Sequence, residues 1–155
     1  MHERHSKTRL LTGYRYCEED FKPGHAERAD GDHLPDLTPE KKNAEIIIRQ
    51  GDERGSLRAK ATFVFESLEI ALRLLNETRG KHLFELSIDP RHVFHRADLR
   101  IYDEIVAALQ KGKNVDQLVR QFWAGVERPD PRIELCVAEA TIVKKLEDAN
   151  RKSKA

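Results

Sequence analysis

Three side chains stand where strand-like runs meet turns, and each suits chemistry on an anionic or glycosidic ligand. Arg15 lies in Leu11-Thr12-Gly13-Tyr14-Arg15-Tyr16, an otherwise neutral run. A guanidinium there needs a partner, because burying one unpaired is costly. That partner is either an internal acid or the oxygens of a phosphate or pyrophosphate, which the planar fork fits. Ser67 follows Thr62-Phe63-Val64-Phe65-Glu66, where a strand hands over to a helix. Its hydroxyl suits a helix cap, and the same place offers backbone N–H groups to an anion. Glu134 follows Pro129-Asp130-Pro131-Arg132-Ile133 and runs into the apolar Leu135-Cys136-Val137-Ala138. A carboxylate at the first turn of a strand, behind a proline-stiffened loop, is either a solvated strand end or a group on an active-site rim.

Other polar groups read more plainly. His92-Val93-Phe94-His95 pairs two histidines on an irregular segment, with no third ligand in a recognised metal spacing. Asp98, Asp103 and Glu104 favour the first turn of a helix. Phe122 and Trp123 close an amphipathic helix and belong to a core. Lys144 to Lys154 form a charged, mostly basic tail that frays or attracts nucleic acid weakly.

These residues need elements to hold them. Arg9 to Tyr16 predicts a first strand, with Leu10, Thr12, Tyr14 and Tyr16 on one face and Leu11, Gly13 and Arg15 on the other. Lys22 to Asp36 is polar, holds two glycines and two prolines, and predicts a long mobile loop of the lid or binding kind. Thr38-Pro39 opens a helix to about Gln50, with Ala44, Ile47 and Ile48 inward. Lys60 to Phe65 predicts a strand with Ala61, Phe63 and Phe65 on one face. Ser67 then opens a helix carrying Leu68, Ala71, Leu72 and Leu75 and stopped by Gly80. His82 to Ile88 alternates most clearly, and Pro90 ends it. Helices follow over Asp98 to Lys111 and Val115 to Ala124, the second capped by Asn114 and stopped by Gly125. Ile133 to Ala138 and Ala140 to Lys145 predict two last strands, arranged as a hairpin. Strands at both ends with helices between them argue for an α+β fold over a doubly wound parallel sheet.

The 155 residues suffice for one domain over 1–155, with 1–8 and 147–155 expected to be flexible. Charged residues make up 35% and the net charge is +1, so no global field argues for nucleic acid or a membrane. Cys17 and Cys136 are far apart and suit reduced thiols. No apolar run approaches the roughly 18 residues of a membrane span. A cytoplasmic protein is the expectation. Gly-rich phosphate loops, nucleophile-elbow serines and zinc spacings are missing, which argues against the common NTPases and hydrolases.

Several of these runs together carry a resemblance. Leu11-Thr12-Gly13-Tyr14-Arg15-Tyr16 resembles the first-strand arginine motif of toxin-type members of the mono-ADP-ribosyltransferase-like superfamily, and Phe63-Val64-Phe65-Glu66-Ser67-Leu68-Glu69-Ile70-Ala71 resembles their second motif. Leu83-Phe84-Glu85-Leu86-Ser87-Ile88-Asp89, His95-Arg96 and Pro131-Arg132-Ile133-Glu134-Leu135 are similar to a less characterised bacterial branch. The likeness spans Leu10 to Leu146. It implies a core of two packed, mostly antiparallel sheets with flanking helices, and NAD as substrate. It also implies that Arg15, beside Tyr14, holds the NAD phosphates or ribose, that Ser67 supports the site, and that Glu134 acts on the nicotinamide ribose. Breaking that bond builds an oxocarbenium-like cation, which a carboxylate stabilises as charge develops. One such term is worth about 3 kcal/mol. Arg54, Arg58 and Lys60 form a basic run beside the second motif, which reads either as a solvated edge or, at Arg58, as a second arginine of the NAD site.

The chain departs from the pattern in two places. Phe65-Glu66 stand where hydroxyls flank the serine, and Arg132 stands where arginine-modifying members carry an acid or glutamine. A nucleic-acid base, another protein residue or water stay open as acceptors. The competing expectation is a non-enzymatic interaction module, one half of a toxin–antitoxin or regulatory pair, with an antitoxin or immunity protein as partner. Steep salt dependence of nucleic-acid binding without any effect of NAD would mark it.

Overall fold

A computed structural model describes residues 9–29, 31–74 and 81–148. In chain order the elements are β1 (Leu11–Cys17), β2 (Ala26–Glu27), α1 (Pro39–Gln50), β3 (Thr62–Phe65), α2 (Leu68–Arg73), β4 (His82–Ile88), β5 (Val93–Asp98), α3 (Leu99–Gln110), α4 (Asp116–Ala124), β6 (Ile133–Val137) and β7 (Ala140–Asp148). Short 3-10 turns cover Leu34–Asp36, Glu53–Lys60 and Pro90–His92. The α+β class holds. Leu75, Gly80, the ends 1–8 and 149–155, and the basic residues beyond 148 lie outside the described residues. No described helix is long and apolar enough to cross a membrane.

The strands form one antiparallel sheet in the order β2-β7-β4-β1-β3-β6-β5, where two packed sheets were expected. Its middle is thin. β4 pairs with β1 from Leu11–Ile88 to Cys17–His82, and β3 pairs with β6 from Thr62–Val137 to Phe65–Glu134. β1 and β3, however, share the single register pair Tyr14–Phe65. One apolar cluster nevertheless runs across both flanks: Phe84, Leu86, Ile88 and Ile142 on one side, Val64, Ile133, Leu135 and Val137 on the other. Among the described residues no helix contributes to it, and Phe21 and Val93 pack against it. A second cluster joins Ala97 of β5 to α1, α3 and α4 through Ala44, Ile48, Ile101, Ile105, Val119, Phe122 and Trp123.

Strong periodicity gave the right elements. α1 starts where Thr38 accepts from the Lys41 N–H and Pro39 occupies the first turn, and Ala44 and Ile48 are fully buried. α4 ends at Gly125, whose φ of 76° is left-handed. Four expectations are corrected. β5 is a strand where an irregular segment was expected, and Lys60 closes the 3-10 turn Glu53–Lys60 where it was expected to open a strand. β6 and β7 are not a hairpin, for they lie on opposite flanks of the sheet. The two residues between them, Ala138 and Glu139, both have negative φ, so the mirror-image turn that closes a tight hairpin is not available. Finally, the expected mobile loop is tied down. Gly24 donates to the Ile142 carbonyl, Ile142 donates back to His25, Ala26–Glu27 pairs with β7, and Asp32 accepts two bonds of 2.8 Å from Arg49.

Candidate functional site

The site begins in the core, with a carboxylate that has no access to solvent. Glu45 shares the inward stripe of α1 with Ala44 and Ile48, at helical spacing. The turn at Glu53–Lys60 brings Arg58 against it. That turn packs tightly on α1: a Cβ at Gly55 would sit 1.9 Å from the Arg49 carbonyl oxygen, so only glycine fits. Arg58 is 2% exposed. Its Nε and Nη2 donate to the two Glu45 oxygens at 2.6 and 2.9 Å, a bidentate pair. Arg49 Nε adds a bond of 2.9 Å and the Tyr102 hydroxyl one of 3.2 Å, while His33 Nε2 lies 3.7 Å away. Burial alone would push Glu45 up, but these donors outweigh it and hold the carboxyl well below the usual range. The remaining Arg58 nitrogen, Nη1, reaches Cys136 Sγ at 3.5 Å, and the guanidinium lies among the rings of Phe63, Tyr102 and Phe122.

Beside this pair opens a cavity of about 310 Å³, with Glu134 in its wall. Two contacts put Glu134 there. β6 presents it next to Phe65 of β3 and Ala97 of β5, on the face away from the Leu135 cluster. Upstream, the buried carboxylate of Asp98 accepts from the N–H groups of Arg100, Arg128 and Arg132 at 2.9, 2.8 and 3.0 Å, so it both caps α3 and fixes the loop before Glu134. Burial pushes Glu134 up to about 7, against the pull of Arg58. The negative charge of Glu45 adds to the rise, and His33 and Arg15 oppose it. One cavity therefore holds two carboxylates with opposite shifts, Glu45 kept ionised and Glu134 poised near neutrality. Paired groups driven apart in this way are the usual mark of divided acid and base roles.

The other expected site residues occupy different places. Arg58 lines the Glu134 cavity, although its fork is taken by Glu45. Arg15 lines a neighbouring cavity of about 580 Å³, which shares His33 and Phe63 with the first. It leaves β1 on the face opposite Tyr14 and bridges toward β3, donating to the Phe63 carbonyl at 2.9 Å, with Nε 3.4 Å from Glu27. Of its two sequence readings, the internal ion pair is present. Tyr14 packs with Tyr16, Phe65, Leu68, Ala71 and Leu83. Ser67 accepts from the Ile70 N–H at 3.4 Å as the cap of α2, a helix of six residues, and lines neither cavity. Its neighbour Glu66 is held by Arg96 through two bonds of 2.7 Å.

Sequence reasoning passed over Glu45, His33, Lys41 and Tyr102, all of which line the Glu134 cavity. Glu45 had a readable signal: an acid between Ala44 and Ile48 on an apolar stripe is obliged to find a cation. His33 had none, since its approach depends on how residues 22–36 fold back over α1. His95 is buried against Phe122 and Trp123 with Nε2 3.0 Å from the Phe122 carbonyl. Burial pushes it down to about 4, so the ring is neutral at pH 7. Compared with models of known protein families and with curated proteins, the chain matches none.

Proposed function

We propose that the chain is an NAD-consuming enzyme of the mono-ADP-ribosyltransferase-like kind, which breaks the nicotinamide–ribose bond and passes ADP-ribose to a macromolecular acceptor or to water. The observation that carries this reading is Glu134: a carboxylate in a cavity wall, poised near neutrality, with the buried Glu45–Arg58 pair behind it. Cleavage of the glycosidic bond turns the ribose into a cation, and an ionised Glu134 would be worth most at that moment. The low-dielectric wall of Phe63, Ile70, Leu99 and Tyr102 strengthens the interaction. The permanent negative charge of Glu45, largely balanced by Arg58, would favour the same cation at longer range.

Two further features support the reading. The thin junction at Tyr14–Phe65 divides the one sheet into two flanks that share an apolar cluster, in keeping with the two-sheet arrangement the resemblance implies. The two adjoining cavities also offer an elongated ligand room on both sides of Phe63 and His33. Arg15 lines the larger of them with two of its N–H groups engaged, which leaves others for a ligand there.

Release of nicotinamide from NAD, followed by chromatography, tests the proposal. The wild-type chain should release it, and Glu134→Gln should lose at least a hundredfold in rate while still being protected by NAD against heat. Equal rates in the two proteins would remove Glu134 from the chemistry. Tight, salt-sensitive binding of nucleic acid, with no response to NAD, would favour the interaction-module reading instead.

A further inference from the structure

Most described arginines are spent on acids; Arg9, Arg120 and Arg132 are without such a partner, and the first two are exposed. Arg132 differs. It is half-buried, lines the Glu134 cavity, and has its backbone N–H pinned by Asp98 at 3.0 Å, yet its guanidinium bonds nothing. Holding a cation part-desolvated and unpaired is unfavourable, so such a group is informative where it occurs in a cavity wall. Lys41 of α1 lines the same cavity, also without an acid partner. Of the acids there, Glu45 is held by Arg58 and Arg49 and Asp103 has a contact of its own, while Glu134 is not ion-paired with Arg132 or Lys41.

We propose that Arg132 and Lys41 form the phosphate-binding site of this cavity, and that they, rather than Arg15, take the pyrophosphate of the nucleotide substrate. Arg132 stands two residues before Glu134 and both line one cavity, so one nucleotide would place its sugar at Glu134 and its phosphate at Arg132. Arg15 is already committed to the Phe63 carbonyl and Glu27, and it opens on the neighbouring cavity. The position of the sugar rests on the NAD reading above; the anion site does not. It also gives a use to the arginine that departs from the arginine-modifying pattern.

Calorimetric titration of the wild-type chain, Arg132→Ala and Lys41→Ala with NAD, ADP-ribose, inorganic pyrophosphate and the phosphate-free nicotinamide riboside tests this. Loss of one charge-assisted contact should weaken the three phosphate ligands roughly 10- to 100-fold in Arg132→Ala, less in Lys41→Ala, and leave nicotinamide riboside unchanged. Since the guanidinium bonds nothing, both variants should melt like the wild type; if Arg132→Ala does not fold, Lys41→Ala and the salt dependence of pyrophosphate binding give the same answer. NAD binding that is equal in wild type and Arg132→Ala overturns the anion site and leaves the NAD reading standing. Arg132-dependent binding of pyrophosphate without any binding or cleavage of NAD upholds the anion site and ends the NAD reading. A wild-type chain that binds none of the phosphate ligands overturns both.

Discussion

Glu45 and Arg58 meet face to face in the core, joined by two hydrogen bonds of 2.6 and 2.9 Å, with neither side chain appreciably exposed. They tie α1 to the turn that precedes β3, and they form the back of the cavity in which Glu134 stands. A pair so deeply buried is costly to build and more costly to break.

Removing one partner should therefore hurt more than removing both. Glu45→Gln or Arg58→Met alone strands a buried charge or donor and should destabilise by about 3–5 kcal/mol in urea denaturation. Glu45→Leu combined with Arg58→Met should recover most of that loss. The pH dependence has a definite sign. Glu45 is held below its ordinary value of 4.5, so its contribution is present above that pH and drains away as the pH falls through the folded-state value. Glu45→Gln should flatten the acid limb of the stability curve. Equal losses in the single and double variants would refute the account.

Glu134 carries the opposite sign. Its carboxyl is raised from 4.5 to about 7, so between those values the folded chain holds more protons than the unfolded one, and stability falls as pH rises. Glu134→Gln should be more stable than the wild type at pH 8, by about 1–2 kcal/mol once partial exposure is discounted, and no more stable at pH 4. Melting temperatures across that range would show it. Nicotinamide release, in turn, should climb with pH up to about 7 and then level off, because the ionised carboxylate does the work. A pH-independent difference in melting between the two proteins would argue against the shift.

Ser67 separates a cap from a ligand group. Ser67→Ala should cost about 1 kcal/mol in stability, the usual price of a lost N-cap, with NAD affinity and nicotinamide release unchanged. A large loss of NAD affinity at unchanged stability would restore Ser67 to the site.

Much of the fold could be read from the sequence where one period dominates. His82–Ile88 alternates cleanly because Phe84, Leu86 and Ile88 all enter one core, and α1 is announced by Thr38-Pro39 and its apolar stripe. β5 was hidden because its inward positions include His95 and Asp98, polar groups whose partners, the Phe122 carbonyl at His95 Nε2 and three backbone N–H groups at Asp98, lie far off in the chain or outside the strand. In the site, Glu134 and Arg58 were legible as types in suitable places, and they line one cavity. The partners were not legible. Arg15 with Glu27, or His33 with Glu45, depends on the path of residues 22–36, which follows from pairing with β7 and the Asp32–Arg49 contact rather than from any local pattern.

The lone Tyr14–Phe65 rung has a dynamic consequence. A ladder resists bending in proportion to its backbone bonds, and between β1 and β3 that resistance is nearly gone. What joins the two wings there is mainly the Arg15 bond to the Phe63 carbonyl and the shared apolar cluster, so amide exchange at Tyr14 and Phe65 should outpace exchange within the longer ladders of β4 and β6.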